Sequence, residues 1–303
     1  MSSRVPAALE GVTAVLITAY TRGTAQVDED TITQIATRTA AAGVPVLTAL
    51  GNTAEVQQLR TAERLAVLRA VAAADHPVTR IAGVCGGIGT VLTETEAARD
   101  LGYHAVMVHE PADPFGDGSG LVRFYRQVAE DAALPLVLYL RSTRLSAAHL
   151  SELVALPGVV GVKYARPDLH TLAALLAGPA GQQCTWINGS AESSVASFAA
   201  LGVTSFTSGI ANARPDIALA VHRAATDGDL TALQALVRDF VEPIEALRAE
   251  HGGRYNVSTI KQLLRWEGIE AGGVRPPHSE LDDAALARLA VVQPAVTTAG
   301  STR

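Results

Sequence analysis

The chain has 303 residues, of which 48% are hydrophobic and 18% charged, and its formal net charge is −6. This composition predicts one large domain or two ordinary ones, and the negative charge argues against nucleic acid or an anionic membrane as a partner. Residues 1–10 carry no signal-peptide pattern and no apolar run approaches the roughly 20 residues of a membrane helix, so we expect a cytoplasmic protein. The two cysteines, Cys85 and Cys184, are expected to be buried thiols outside any disulfide framework.

Strand-like and helix-like segments alternate along the first part of the chain. The predicted strands are residues 12–19, 44–50, 78–84, 105–109, 136–140, 158–164, 184–188 and 203–207. The predicted helices that follow them are residues 28–42, 61–74, 93–101, 121–133, 146–156, 169–176, 192–201 and 215–225. Eight strand–helix units of similar size predict an α/β fold of the (β/α)8 TIM barrel type, with an open doubly wound sheet as the alternative.

Further helices are predicted beyond the eighth unit, at residues 230–250, 257–266 and 282–292. We therefore predict a barrel over residues 1–225 that carries the active site, followed by a C-terminal helical extension. This helical annex, over residues 226–296, is expected to pack on the barrel. Residues 297–303 are small and polar and are expected to form a flexible tail.

One predicted strand ends in a lysine, and lysine is rare in this chain. Lys163 follows the apolar run of residues 158–162, and Lys261 is the only other lysine, whereas arginine occurs throughout. An ammonium can lose its proton and attack a carbonyl, which a guanidinium cannot do, so Lys163 indicates imine chemistry. The alternative is a strand-end lysine that reaches solvent, and Lys261 is itself expected to be a solvated charge on a helix.

Polar or glycine residues follow nearly every predicted strand. Because the carboxyl ends of the strands of such a barrel meet at one mouth, these residues are expected to form one site. Among them are Gly51, Asn52, Thr53, His109, Glu110, Tyr139, Lys163, Asn188, Gly189, Thr207 and Ser208.

In order and spacing, these residues resemble the dihydrodipicolinate synthase / N-acetylneuraminate lyase family, whose members are Schiff-base-forming aldolases and dehydratases. The G-[ST]-T-G-E motif of the family after strand two resembles residues 51–55, which read GNTAE. Its strand-five tyrosine resembles Tyr139, and its G-x-K motif of strand six resembles residues 161–163. Each motif alone is weak, but the resemblance runs over nearly the whole chain.

The resemblance implies a lyase that acts on pyruvate or another 2-oxo acid through a lysine imine. Lys163 would form the imine and Tyr139 would shuttle protons at the reacting carbon and the substrate hydroxyl. Thr53, with the backbone N–H groups of the turn that begins at Gly51, would bind the substrate carboxylate.

Two more residues and two general properties follow from the same resemblance. Gly189 and Ile210 match positions that lie close to the bound oxo acid in the family. No metal and no other cofactor is implied. Helices comparable to the annex pack at subunit contacts in the family, so a homo-oligomer, either dimer or tetramer, is expected by analogy.

Several positions depart from the pattern of the synthases. Asn52 replaces a Thr or Ser whose hydroxyl belongs to their proton relay, and an amide cannot readily pass a proton. Residues 110–114 replace the P-Y-Y segment, so the tyrosine lent across the synthase dimer interface has no match. An arginine after strand five and residues 274–277 resemble the 5-dehydro-4-deoxyglucarate dehydratase branch, whose substrate has a carboxylate at each end. Either Arg141 or Arg144 could bind the second carboxylate.

A sugar-acid dehydratase similar to 5-dehydro-4-deoxyglucarate dehydratase is therefore the preferred function. A 4-hydroxy-tetrahydrodipicolinate synthase or another 2-oxo acid aldolase is the first alternative, and a non-catalytic barrel that binds 2-oxo acids is the second. A metal-dependent enzyme is a third, although the spacing of His109, Glu110 and Asp113 fits no standard ligand set. The glycine-rich residues 86–90 are expected to form a tight turn, because they lack the lysine of a phosphate-binding loop.

Overall fold

Eight parallel strands form a closed barrel at the centre of the computed structural model, which describes residues 9–292. Each strand pairs with its neighbours in chain order, and β8 closes the barrel by pairing with β1. The predicted (β/α)8 barrel is therefore confirmed, and the open sheet is excluded. The strands are β1 (Val12–Val15), β2 (Val46–Ala49), β3 (Thr79–Val84), β4 (Ala105–Val108), β5 (Leu136–Leu140), β6 (Val159–Tyr164), β7 (Thr185–Asn188) and β8 (Phe206–Ser208).

One helix follows each strand and packs outside the barrel. The helices are α1 (Glu29–Ala41), α2 (Thr61–Ala72), α3 (Ile88–Asp100), α4 (Gly118–Asp131), α5 (Ala147–Val154), α6 (Leu169–Ala177), α7 (Val195–Ala199) and α8 (Pro215–Asp227). Several begin where a side chain caps free N–H groups: Asp28, Asp117, Ser146 and Asp168 each accept a backbone hydrogen bond from three residues later.

Helix α3 begins earlier than the predicted residue 93. Gly86 has a φ of +116° and Gly87 is the extended residue before the first helical position, so the chain turns within two residues. The expected tight turn is present, and the remaining residues of the glycine-rich segment lie inside the helix.

Up to residue 292, where the described part ends, four helices follow the barrel: α9 (Leu230–Leu236), α10 (Glu242–Gly253), α11 (Ser258–Trp266) and α12 (Asp283–Leu289). The single helix predicted over residues 230–250 is interrupted by a π-helical turn at Val237–Val241, just before Pro243. Proline has no N–H to donate, so a regular hydrogen-bond ladder cannot run through this point. Residues 1–8, the end of the predicted annex and the predicted tail 297–303 lie outside the described residues.

Alternation along the strands separates two apolar cores. Val106 and Val108 of β4 face the helices, whereas Ala105 and Met107 face the barrel interior. The same alternation on β5 sends Leu138 and Leu140 outward and Val137 and Tyr139 inward. Apolar side chains thus fill the barrel interior up to the level of Tyr139.

Within residues 9–292, no helix has both the length and the apolar composition needed to cross a bilayer. Both cysteines are free thiols; Cys85 is buried, as expected, whereas Cys184 is only partly buried. Burial raises the pKa of both thiols, that of Cys184 to about 12.

Candidate active site

Lys163 and Tyr139 lie side by side on adjacent strands. They are register partners in the pairing of β5 with β6, and both side chains point into the barrel. The Lys163 Nζ lies 4.1 Å from the centroid of the Tyr139 ring. Only 4% of Lys163 and 6% of Tyr139 is exposed, so little of either residue is in contact with bulk solvent.

Burial, and to a smaller extent the guanidinium groups of Arg141 and Arg248, lower the pKa of Lys163 to about 7. Burial removes water from the ammonium, and the positive neighbours oppose another positive charge. A pKa near 7 leaves about half of the amine neutral, and therefore nucleophilic, at neutral pH.

Asn52 and His109 hold the phenol of Tyr139 in place. The Asn52 Nδ2 donates a hydrogen bond of 3.1 Å to the phenol oxygen, and the His109 ring lies edge-on at 5.5 Å between centroids. Burial raises the pKa of Tyr139, an effect that Arg141 and the Asn52 hydrogen bond oppose. Because the phenol oxygen accepts from Asn52, its own O–H is free to donate elsewhere.

His109 also supports the turn after β2. Its Nε2 lies 2.9 Å from the Leu50 carbonyl oxygen, which can only accept, so Nε2 carries the proton. Burial lowers the pKa of His109 to about 4, and the ring is neutral at neutral pH. Leu50 has a φ of +57°, and its carbonyl lies over Gly83, where an added Cβ would be only 2.2 Å from the oxygen.

The three residues that were considered as metal ligands, and whose spacing fits no standard set, have other partners. His109 binds Leu50, Glu110 forms an ion pair with Arg144, and the Asp113 carboxylate accepts the Phe115 N–H. In the part of the chain that the structure describes, no three His, Cys, Asp or Glu side chains converge into a metal-ligand group.

The residues after β2 form a 3₁₀ turn, Asn52–Ala54. Gly51 precedes this turn and packs on Val15, where an added Cβ would lie 2.3 Å from a methyl carbon. The Thr18 hydroxyl donates to the Ala54 carbonyl over 2.7 Å and fixes the far end of the turn. The sequence thus positions Thr53 at the barrel mouth, with 7% of the residue exposed.

Two cavities lie side by side at this mouth, and Asn52, Tyr139 and Arg141 line both. The inner cavity, of about 290 Å³, contains Lys163 and is further lined by Val15, Thr53, Ala165, Gly189, Ser190, Ala191, Thr207, Gly209, Glu245, Arg248 and Asn256. The outer cavity, of about 650 Å³, is further lined by Glu55, Val56, Gln57, Gln58, His109, Glu110, Pro111, Ala112, Ser142, Arg144, Pro277 and His278.

Gly189 and Ile210 occupy different places relative to the inner cavity. Gly189 lines it and lies against the Lys163 stem, where an added Cβ would be 2.9 Å from the Cγ. Ile210 is fully buried in the turn after β8, next to the lining residue Gly209. Gly51 is also outside the lining, one residue before Asn52.

Arg141 and Arg144 differ in their partners. The Arg144 guanidinium donates to the carbonyls of Asp113 and Gly116 and forms an ion pair with Glu110, so the loop after β4 occupies it. Arg141 is exposed and lines both cavities, with its Cζ 5.9 Å from the Tyr139 ring centroid. Within residues 9–292, its guanidinium has no hydrogen bond or ion pair.

A sequence profile of the Dihydrodipicolinate synthetase family matches residues 8–294. The chain belongs to this family. The resemblance found in the motifs is therefore confirmed.

A probable 5-dehydro-4-deoxyglucarate dehydratase of Streptomyces coelicolor is 32% identical over 249 residues, which cover 79% of this chain and 78% of that protein. A second probable dehydratase of this name, from Streptomyces avermitilis, is 34% identical over 230 residues, or 75% of this chain and 69% of that protein.

Solved structures of the family have the same barrel. A dihydrodipicolinate synthase from Oceanobacillus iheyensis superposes with a TM-score of 0.92 at 27% identity, covering 97% of this chain and 98% of that one. An N-acetylneuraminate lyase from Mycoplasma synoviae shares the fold, with a TM-score of 0.81 at 18% identity over 96% and 98% of the two chains.

The annex of this family member contributes three lining residues that sequence reasoning missed. Glu245, Arg248 and Asn256 reach the inner cavity from α10 and the loop after it. Arg248 forms an ion pair with Glu245 and donates to the carbonyl and side-chain oxygens of Asn256 over 3.0 and 3.1 Å. Its guanidinium lies against Gly209, where an added Cβ would be 2.8 Å from two of its nitrogens. No local motif around these residues indicates that they fold over the mouth.

The prediction that Lys261 is a solvated charge is wrong. Only 3% of Lys261 is exposed, and its Nζ lies 3.1 Å from an oxygen of the Glu55 carboxylate. One face of α11 is apolar and packs inward, which carries the lysine into the interior with it. Burial lowers the pKa of Lys261, and the Glu55 carboxylate opposes this change.

Arg275, from the segment that resembles the dehydratase branch, lies outside the lining of both cavities. Its guanidinium donates to both carboxylate oxygens of Glu63 over 2.6 and 3.1 Å. These hydrogen bonds lower the pKa of Glu63 to about 2. Two residues shortly after Arg275, Pro277 and His278, do line the outer cavity.

Proposed function

We propose that this family member is an imine-forming dehydratase of 2-oxo sugar diacids, with 5-dehydro-4-deoxyglucarate as the first substrate to test. The lyase class follows from family membership and from relatives that are themselves probable dehydratases. The observation that carries the proposal is a buried amine, with its pKa lowered to about 7, beside a phenol in a cavity of about 290 Å³.

Imine formation is the first step of the proposed reaction. The neutral Lys163 amine attacks the 2-oxo carbon, and the adduct loses the carbonyl oxygen as water. Tyr139 donates its O–H to that oxygen, since Asn52 already satisfies the phenol as an acceptor. The low exposure of both groups keeps bulk water from competing for these protons.

Elimination of the substrate hydroxyl group is the second step, and the electron-withdrawing imine nitrogen makes it possible. The cationic nitrogen acidifies the hydrogen on the carbon next to the imine, and transfer of this proton to the phenolate that imine formation left on Tyr139 gives an enamine. The enamine electrons expel the hydroxyl group from the following carbon, and the proton and hydroxide leave together as water. Tyr139 is positioned to carry the proton to the departing oxygen. Hydrolysis of the imine then releases the product and restores Lys163.

The two ends of a diacid require two anion sites. The first carboxylate would bind Thr53 and the N–H groups of the turn that begins at Gly51, because such turns present donors to an anion. The second would bind Arg141, since among the arginines that line the two cavities it is the one whose guanidinium has no hydrogen-bonding or ionic partner within residues 9–292. Arg144 is less suited, since the protein already occupies its donors.

The deciding experiment is reductive trapping with pyruvate or a 2-oxo sugar acid. Cyanoborohydride should add the mass of the reduced ligand to Lys163, as located by peptide mass spectrometry. Lys163→Ala should abolish the adduct, and Tyr139→Phe should retain it at a lower rate. An adduct of equal yield in Lys163→Ala would overturn the imine assignment.

Two other functions are separated by the substrate panel. The structural similarity to a dihydrodipicolinate synthase favours testing pyruvate with aspartate semialdehyde. A non-catalytic barrel would trap 2-oxo acids at Lys163 without releasing product from any of them. Multiple turnovers of a 2-oxo sugar diacid would exclude the non-catalytic barrel. The cytoplasmic location and the homo-oligomeric state stay predictions.

A further inference from the structure

Both oxygens of the Glu55 carboxylate are held by the annex. One lies 3.1 Å from the Lys261 Nζ on α11, and the other accepts the Arg275 backbone N–H over 2.8 Å. The Glu55 side chain is fully buried and that of Lys261 is 3% exposed. The contact between Glu55 and Lys261 joins residues that are 206 positions apart in the chain.

Lys261 is the cation that balances Glu55. The Arg275 guanidinium is committed to Glu63 through two hydrogen bonds, and it also donates to the carbonyls of Gln58 and Ala25. Arg275 therefore contacts Glu55 through its backbone N–H and not through a hydrogen bond from its guanidinium. The Lys261 ammonium also donates to the Gly273 carbonyl and lies 4.3 Å from the centroid of the Tyr20 ring, which fixes its position.

Glu55 lies next to the proposed carboxylate-binding turn. It is the residue after Ala54, and its N–H donates to the Asn52 carbonyl over 3.0 Å. Its backbone is left-handed, with a φ of +56°, so the turn ends at this residue. A buried negative charge in this position would repel a substrate carboxylate unless a cation balanced it.

We propose that Lys261 is a positioning residue for substrate binding: by neutralising Glu55, it allows the neighbouring turn to accept the 2-oxo acid carboxylate. This inference rests on the proposed imine chemistry at Lys163. The two lysines of the chain thus have separate roles, since one reacts with the carbonyl carbon and the other controls the charge beside the carboxylate.

The test compares a charged ketone with a neutral one. Pyruvate and hydroxyacetone are each trapped with cyanoborohydride, and the ratio of their second-order trapping rates at Lys163 is measured. A general change in folding or in Lys163 reactivity affects both ketones and leaves the ratio unchanged. Lys261→Met should lower the pyruvate-to-hydroxyacetone ratio by about tenfold to a hundredfold, the range expected for two carboxylates about 6 to 12 Å apart at an effective dielectric constant of about 20.

Two further variants separate charge from packing. Lys261→Met combined with Glu55→Gln removes both charges and should return the ratio to within about twofold of the wild-type value. Glu55→Gln alone should keep or raise the ratio. If the Glu55–Lys261 contact only kept the carboxylate-binding turn in shape, every variant that breaks the contact would have a lower ratio. Arg265→Met is the matched control, because it removes a cation from α11 whose partner is the surface residue Glu270.

Each outcome decides the question. An unchanged ratio in Lys261→Met, no recovery in the double variant, or a lower ratio in Glu55→Gln would overturn the role of Lys261. If Lys261→Met does not fold, the ratios of Glu55→Gln and of the double variant give the decision. Absence of any pyruvate adduct in the wild-type protein would instead reject the proposed function itself, and this inference with it.

Discussion

The Asn52 amide donates a hydrogen bond of 3.1 Å to the phenol oxygen of Tyr139. Asn52 replaces the hydroxyl residue of the family motif, which had suggested a lost proton relay. The direction of the hydrogen bond gives the amide another role, because it fixes the phenol as an acceptor on one side and leaves its O–H for the substrate. Asn52 is thus expected to orient Tyr139 rather than to carry protons.

This geometry predicts a difference between two substitutions of Asn52. Asn52→Ala removes the donor and should slow turnover about fivefold, since a hydrogen bond of this kind contributes roughly 1 kcal/mol. Asn52→Asp supplies a carboxylate that accepts the phenol O–H and repels the substrate anion, so it should slow turnover further. Turnover rates of the two purified variants would test this order, and equal rates would contradict the orienting role.

The lowered pKa of Lys163 predicts a pH dependence of imine formation. The neutral amine is the nucleophile, so the rate of formation should rise as pH increases through about 7 and level off above it. Arg141 contributes to the lowering, and Arg141→Gln should therefore move the midpoint upward. Stopped-flow measurement of pyruvate imine formation at several pH values would show the midpoints, and a rate that falls with pH would contradict the assignment.

Arg141 and Arg144 should also differ in substrate selectivity. Arg141→Gln removes a guanidinium that lines both cavities and has no ionic partner in the described residues, so KM for a 2-oxo diacid should rise by about tenfold to a hundredfold. Trapping of pyruvate, which has one carboxylate, should change little when it is measured at a pH above the midpoints for Lys163 in both proteins.

Arg144→Gln is the comparison variant. It frees the loop after β4 by removing hydrogen bonds to Asp113 and Gly116, and its effects on the diacid and on pyruvate should be similar. Steady-state kinetics with a 2-oxo sugar diacid and pyruvate trapping would compare the two. A selective loss of the diacid in Arg144→Gln, and none in Arg141→Gln, would reverse the assignment.

The sequence predicts the barrel and the centre of the site because both follow from local patterns. Strand periodicity places Tyr139 and Lys163 on the inner face, and parallel order brings their strands together. Residues from the annex were not predictable in this way. Arg248 reaches the inner cavity through the path of α10, and burial of Lys261 depends on Glu55 far along the chain. From the sequence alone, a charged residue on an amphipathic helix is predicted to be solvated, because its distant partner is not known.

Glu192 is expected to make the stability of the protein depend on pH. Its side chain is fully buried, accepts a hydrogen bond from the Ser208 hydroxyl, and has one oxygen without a partner in residues 9–292. Burial, and next the Glu245 carboxylate, raise the pKa of Glu192 well above the ordinary carboxyl value. The folded protein therefore binds the Glu192 proton more tightly than the unfolded chain does.

The sign of the pH effect follows from linkage. Below the ordinary carboxyl pKa of about 4.3 both states are protonated, and as pH rises from there through the folded-state pKa the contribution of Glu192 to stability is lost. Glu192→Gln cannot ionise, so it should gain stability relative to the wild-type protein by about 1 kcal/mol or more between pH 5 and 9. Urea unfolding of both proteins at several pH values would measure this gain. Glu96→Gln, at an exposed site, controls for the loss of a charge, and parallel pH profiles for wild type and Glu192→Gln would show that Glu192 is ionised in the folded protein.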